Sequence, residues 1–151
     1  MALDAYNKLW VLTDGGFDGN PYAYEEPALM RINAATRQIE QVFRFDLDDL
    51  PSELQINGAG DTLYFLSRHV YRHGVLSGNE PELFIDSPYG DTGIGGFYGL
   101  GIDPQRSDIY VADAIDNVQR GVVYRYNANA VPLDTLKVGI IPGGFCFKPG
   151  R

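Results

Sequence analysis

A chain of 151 residues with 44% hydrophobic side chains is long enough for one domain with a buried core, so residues 1–151 are expected to form a single unit. Twenty acidic against twelve basic residues leave a net charge of -8 with no polybasic run, which repels phosphate backbones and argues against a nucleic-acid partner. No apolar run exceeds four residues, far short of the roughly 20 that cross a bilayer, and Met1–Tyr6 lacks the form of an export signal, so the chain is not expected to span a membrane.

In chain order, the first element is Lys8–Asp14, an aliphatic, an aromatic and two more apolar residues running into a polar loop, which predicts a buried strand. A long connection, Asp14 to Pro27, leads to the β-prone Leu29–Asn33. A short turn, Asn33 to Gln38, then precedes the amphipathic Ile39–Phe45. Glu53–Asn57 follows, with apolar side chains alternating against polar ones. The same series then repeats. Thr62–Ser67 matches Lys8–Asp14, Val70–His73 matches Leu29–Asn33, and Glu82–Ile85 matches the amphipathic element. After the connection Asp86 to Phe97, Gly99–Asp103 repeats Glu53–Asn57. A third copy runs through Asp108–Asp113, the connection Asp113 to Gly121, Val123–Asn127, Leu133–Val138 and Gly144–Lys148.

Leu54 and Leu100 lie 46 residues apart, and Leu100 and Phe145 lie 45 apart. A period in the mid-forties with four short strands and glycine-rich turns is the signature of a β-propeller blade, and no helical stripe of useful length interrupts it. The expected fold is all-β, with three four-stranded blades over residues 8–57, 61–103 and 107–148. The alternating element is innermost, as Gly99, Gly101 and Gly144 suit a crowded axis. Propellers close with 4 to 8 blades, and three do not. The chain opens on a second strand at Leu9 and ends on a first strand at Phe147, so two copies are expected to exchange these ends and close a six-bladed ring. Leu9, Trp10, Val11, Phe145 and Phe147 would form that homodimer contact, with Phe145 and Phe147 under Trp10 of the partner copy. The rival reading is a fragment of a longer seven- or eight-bladed parent.

The connections between the second and third strands and between the fourth and first vary in length, whereas those on the opposite side are short. Long loops on a rigid scaffold concentrate binding residues, so the elaborated side is the expected site. There Phe17, Tyr22, Tyr24, Tyr89, Phe97 and Tyr98 offer aromatic area suited to a flat or sugar-like ligand; the bland alternative is that each pins its own loop. Arg68, Asp113, Asp116 and Arg120, with Asp14 and Asp18, give a rim of mixed charge, with solvated rim charges as the alternative. The repeated Arg31, Arg72 and Arg125 are expected to pair with an acid or carbonyl of their own or a neighbouring blade.

Catalytic motifs are wanting, and no catalytic residue, metal ligand or cofactor is assigned. Asp14–Asn20 departs from the calcium-loop pattern at its third position and lacks the distal glutamate, so it is expected to form a turn. His69 and His73 bracket a strand with no third ligand nearby. Cys146 cannot form an internal disulfide and is expected to be a buried structural thiol on an inner strand. A binding scaffold is therefore favoured, with a propeller hydrolase or lyase and a ligand-free structural half-propeller as alternatives.

The runs Lys8–Gly16, Tyr98–Pro104, Asp108–Asp113 and Gly139–Phe147 resemble the C-terminal part of the YncE-like, YVTN-type propellers of Gram-negative bacteria. These are secreted or surface lipoproteins often labelled surface-layer proteins. The resemblance implies a location at the cell envelope or surface. It also implies corrinoid capture, since some surface members bind cobalamin and hand it to a transporter.

Overall fold

The computed structural model describes residues 1–16, 25–88 and 96–148. Among these, twelve strands build three antiparallel sheets and there is no helix. Blade one comprises β1 (Ala2–Leu3), β2 (Lys8–Thr13), β3 (Ala28–Asn33) and β4 (Ile39–Arg44). Blade two comprises β5 (Ser52–Ile56), β6 (Thr62–Ser67), β7 (His69–Gly74) and β8 (Glu82–Ile85). Blade three comprises β9 (Phe97–Ile102), β10 (Ile109–Asp113), β11 (Val122–Tyr126) and β12 (Pro132–Lys137). In each sheet the spatial order follows the chain order, the meander of a propeller blade.

Blade one is complete, which corrects the expectation that it lacks an inner strand. Ala2 pairs with Trp10 and Leu3 with Leu9. The cause is the turn that follows. The Asp4 carboxylate accepts the backbone N–H groups of Tyr6 and Lys8 at 2.8 and 2.9 Å through Oδ1, and the Trp10 indole N–H at 2.9 Å through Oδ2. Asn57 and Asp103 open the equivalent turns of the other blades in the same way, Asn57 accepting Asp61 and Thr62 N–H and Asp103 accepting Gln105 and Arg106 N–H. Each turn also holds one residue of positive φ, at Asn7, Gly60 and Ser107. At the other end, Gly144–Lys148 forms no strand, because no described residue pairs with its edge.

Cross-strand partners share a face of the sheet, and this sorts every blade into two unlike surfaces. One face carries an aromatic–arginine–polar row: Trp10, Arg31 and Gln41, then Tyr64, Arg72 and Glu82, then Tyr110, Arg125 and Asp134. The opposite face is apolar, as with Val11, Met30 and Val42 in blade one or Phe65, Tyr71 and Leu83 in blade two. At each seam the row face of one blade packs on the apolar face of the next. Trp10, Leu29 and Phe43 meet Leu63, Phe65 and Val75 at the first seam, and Tyr64, Leu66 and Val70 meet Leu100, Ile109 and Val111 at the second.

The arginine column pairs with acids of its own blades and, at Arg31, with a carbonyl of the next, as the sequence suggested. Arg31 lies 3.4 Å from Glu40 and donates across the seam to the Val75 carbonyl. Arg72 pairs with Glu82 and caps the Phe84 ring. Arg125 is held between Asp108 at 2.6 Å and Asp134 at 2.9 Å, and the Asp108 hydrogen bond, followed by that of Asp134, raises its pKa further.

Candidate functional site

The two ends of the wedge differ as the loop lengths foretold. Asparagine and aspartate turns make one end uniform. The other end carries the connections 14–27, 45–51, 86–96 and 114–121, interrupted in blade two, where Arg68 alone joins β6 to β7 and Ser67 pairs directly with His69. Arg68 takes φ 61, a strained value for a side chain of its size. Between the equivalent strands blades one and three have a long stretch of sequence, and blade two has a single residue. A hollow of about 320 Å³ opens there, lined by Asp46, Asp48 and Asp49 of the β4–β5 connection and by Ser67, Arg68, His69 and Tyr71.

Its walls are held in place from below. The Asp49 carboxylate accepts the Asp46 N–H at 3.1 Å and the Ser67 hydroxyl at 3.3 Å. The buried His69 accepts the Ser87 N–H on Nδ1 at 3.0 Å, which places its proton on Nε2. Tyr71 stacks on Phe65 with ring centroids 5.5 Å apart. Asp46, Asp48 and Arg68 are exposed at the rim, and among the described residues Arg68 is in no ion pair. Three carboxylates against one guanidinium make the hollow anionic, so it disfavours phosphates and favours groups that donate hydrogen bonds.

A second recess of about 370 Å³, lined by Asp14, Glu53 and the ends of β2 and β5, lies nearer the axis on the same end. Glu53 also has a positive φ, at a register shift in β5.

Of the ligand-site residues expected from sequence, Arg68 alone lines the hollow. Phe17, Tyr22, Tyr24 and Tyr89 lie outside the described residues, as does Asp18. Phe97 is a correction: it is buried in the second seam, its ring 6.2 Å from Tyr124, so it is core and offers nothing to a ligand. Tyr98, beside it, is exposed. Asp113 is wholly buried, its Oδ1 accepting the Ile115 N–H at 2.7 Å and its Oδ2 meeting no partner among the described residues; burial removes it from the solvated rim. Asp116 serves its own loop, accepting N–H groups from Val118 and Gln119, and the Gln119 hydrogen bond is the first cause of its lowered pKa. Arg120 donates to the Val138 carbonyl at 3.2 Å.

The closure residues also move. Trp10 is buried in the first seam of its own chain and so cannot receive a partner's phenylalanines. Phe145 and Phe147 lie against Tyr110 of their own blade three, at 6.1 and 5.4 Å between ring centroids. Gly99 and Gly101 are needed for that approach, since a Cβ would meet the Gly143 oxygen at 2.4 Å and Phe145 at 2.7 Å respectively. Gly144 faces open space. Cys146 is exposed, contrary to the buried thiol expected, because its segment covers blade three on one side only.

The sequence reasoning passed over Asp46, Asp48 and Asp49, and weighed His69 only as a metal ligand. The signal was present as the aspartate-rich connection Asp46–Asp49 and as the missing loop between Ser67 and His69.

No family model matches the chain, and neither does any curated protein. Among solved structures, it is similar to a quinoprotein alcohol dehydrogenase-like protein of Bacteroides thetaiotaomicron, at 13% identity and a TM-score of 0.65, over 91% of this chain and 32% of that one. It is also similar to a Bacteroides caccae protein of unknown function, at 13% identity and a TM-score of 0.60, over 86% of this chain and 40% of that one. These likenesses show a propeller-type fold. The chain spans about a third of the first structure and two fifths of the second.

Proposed function

We propose that this propeller wedge is a non-catalytic binding scaffold whose site is the hollow above blade two, and that its ligand is a hydroxyl-rich, uncharged or cationic molecule such as a glycan. The observation that carries this reading is the single-residue turn at Arg68. The turn holds a long charged side chain in a backbone conformation that glycine would adopt at less cost, beside a rim of carboxylates. Neighbouring carboxylates accept from paired hydroxyls, Arg68 donates to a ring or hydroxyl oxygen, and Tyr71 adds apolar area. A volume of about 320 Å³ is at the small end of ligand sites and suits one or two sugar rings better than a corrin macrocycle. By the resemblance to YncE-like propellers, the place of action is the envelope or surface of a Gram-negative cell.

The test is calorimetric titration of the whole chain with neutral glycans, amino sugars, cobalamin and a chromogenic ester. Saturable heat with a glycan, weakened about ten-fold by both Arg68→Gly and Asp48→Asn, is expected, since each removes a charge-assisted hydrogen bond. Binding that both variants leave unchanged would move the site elsewhere, and ester turnover above a blank would replace the scaffold with an enzyme.

A further inference from the structure

At the uniform end of the wedge, the turns β1–β2, β5–β6 and β9–β10 touch one another in series. The Ala5 N–H of the first donates to the Gly60 carbonyl of the second at 2.9 Å. The second lies so close to the third that a Cβ at Gly58 would stand 1.7 Å from the Pro104 carbonyl oxygen. Only glycine fits at that position.

The residue before it is constrained as well. Asp4 and Asp103 open the other two turns as carboxylates, whereas the second turn opens with an amide, Asn57. Its Oδ1 accepts the Asp61 and Thr62 N–H groups at 3.1 and 3.2 Å, as a carboxylate would, and its Nδ2 donates to the Asp61 carboxylate at 2.8 Å. The hydrogen bond from Asn57, followed by that from Thr62, holds the Asp61 carboxyl below the usual carboxylate range. A carboxylate in place of Asn57 would set two like charges at hydrogen-bond distance. The packing of blade two therefore calls for asparagine followed by glycine, a pair in which no side chain screens the second backbone nitrogen from the amide of the first.

We propose that Asn57 is a site of covalent self-modification, at which the Gly58 nitrogen displaces the side-chain amide. The Gly58 nitrogen bonds to Asn57 Cγ and gives up its proton, the Cγ–Nδ2 bond breaks, and ammonia leaves carrying that proton. Water then opens the succinimide at one carbonyl or the other, which leaves aspartate or isoaspartate and consumes no other reactant. The two N–H groups on Oδ1 stand where negative charge grows during the attack. Asn57 is half-buried, and Gly58 and Ala59 are exposed, so water reaches the ring.

Either product disturbs the contacts that the parent dipeptide permits. Aspartate sets a second charge against Asp61, and isoaspartate adds a carbon to the main chain ahead of Gly58, which shifts Gly58 against Pro104 and Gly60 against Ala5. Blade two is then loosened from both neighbours at this end.

Peptide mapping by mass spectrometry of the folded whole chain, held for weeks at neutral to mildly alkaline pH, tests this. Conversion at Asn57, read as a gain of one mass unit with release of ammonia, is expected to run roughly ten-fold faster than at Asn33, Asn79 or Asn127, none of which precedes glycine. The Asn57→Asp chain should unfold at a lower denaturant concentration than the parent, and adding Asp61→Asn should restore most of the loss. Conversion no faster than at those three asparagines, or conversion in the denatured chain alone, overturns the proposal. An Asn57→Asp chain as stable as the parent overturns the loosening of blade two.

Discussion

The two seams of the wedge are built on one plan and filled with different chemistry. In the second, aliphatic side chains dominate: Leu66 and Val70 meet Leu100, Ile109 and Val111, three of them wholly buried. In the first, a histidine, His73, holds the strand position that Tyr126 has in the second. His73 is 3% exposed, sits edge-on to Trp10 at 5.2 Å and to Phe43 at 4.6 Å, and its Nε2 has no hydrogen-bond partner among the described residues. Desolvation, with the nearby Arg31 charge second, lowers its pKa to about 4. A repeated architecture thus fixes where each blade rests on the next, while the side chains at the contact decide how the seam responds to its surroundings.

Truncating the aromatic centre of the first seam has the largest expected effect. Trp10→Ala removes a fully buried indole and its hydrogen bond to Asp4, and should cost about 4 kcal/mol, enough to unfold a marginal domain; chemical denaturation measures it. Acid comes next. An unfolded chain binds a proton at His73 from about pH 6.5 downward, whereas the folded chain resists until about pH 4, so stability falls as pH drops through that window. The loss attributable to His73 is about 3 kcal/mol, and His73→Leu should remove that slope in denaturation curves taken at successive pH values.

In the second seam, Ile109→Val should cost about 1 kcal/mol and leave the pH slope of the parent chain unchanged, which separates packing from titration. The smallest effect belongs to Arg68→Gly. Relief of the positive φ, offset by the entropy of glycine, should raise stability by about 0.5 kcal/mol while ligand binding weakens, the signature of a residue kept for function.

Most of the fold was legible because each strand announces itself by residue type. Lys8–Thr13, Thr62–Ser67 and Ile109–Asp113 repeat the same aliphatic–aromatic run, and the structure moves their ends by a residue at most. β1 escaped notice because two residues show no alternation. Its signal was Leu3–Asp4, which repeats Ile56–Asn57 and Ile102–Asp103 in front of the same turn. Phe97 was assigned to a loop because glycine-rich sequence precedes it, yet it opens β9 and faces the core. The candidate site was the least legible part. Loops and aromatic residues can be seen in a sequence, but a hollow made by the shortness of one connection beside longer ones appears only when neighbouring blades are set side by side.

Hydrogen exchange followed residue by residue as the pH falls from 7 to 4 tests the difference between the seams most directly. The account predicts that amides of β7, which carries His73, and of β3 across the seam lose protection before those of β9 and β10, and that His73→Leu abolishes this order. Simultaneous loss at both seams, or the same order in the His73→Leu chain, would contradict it.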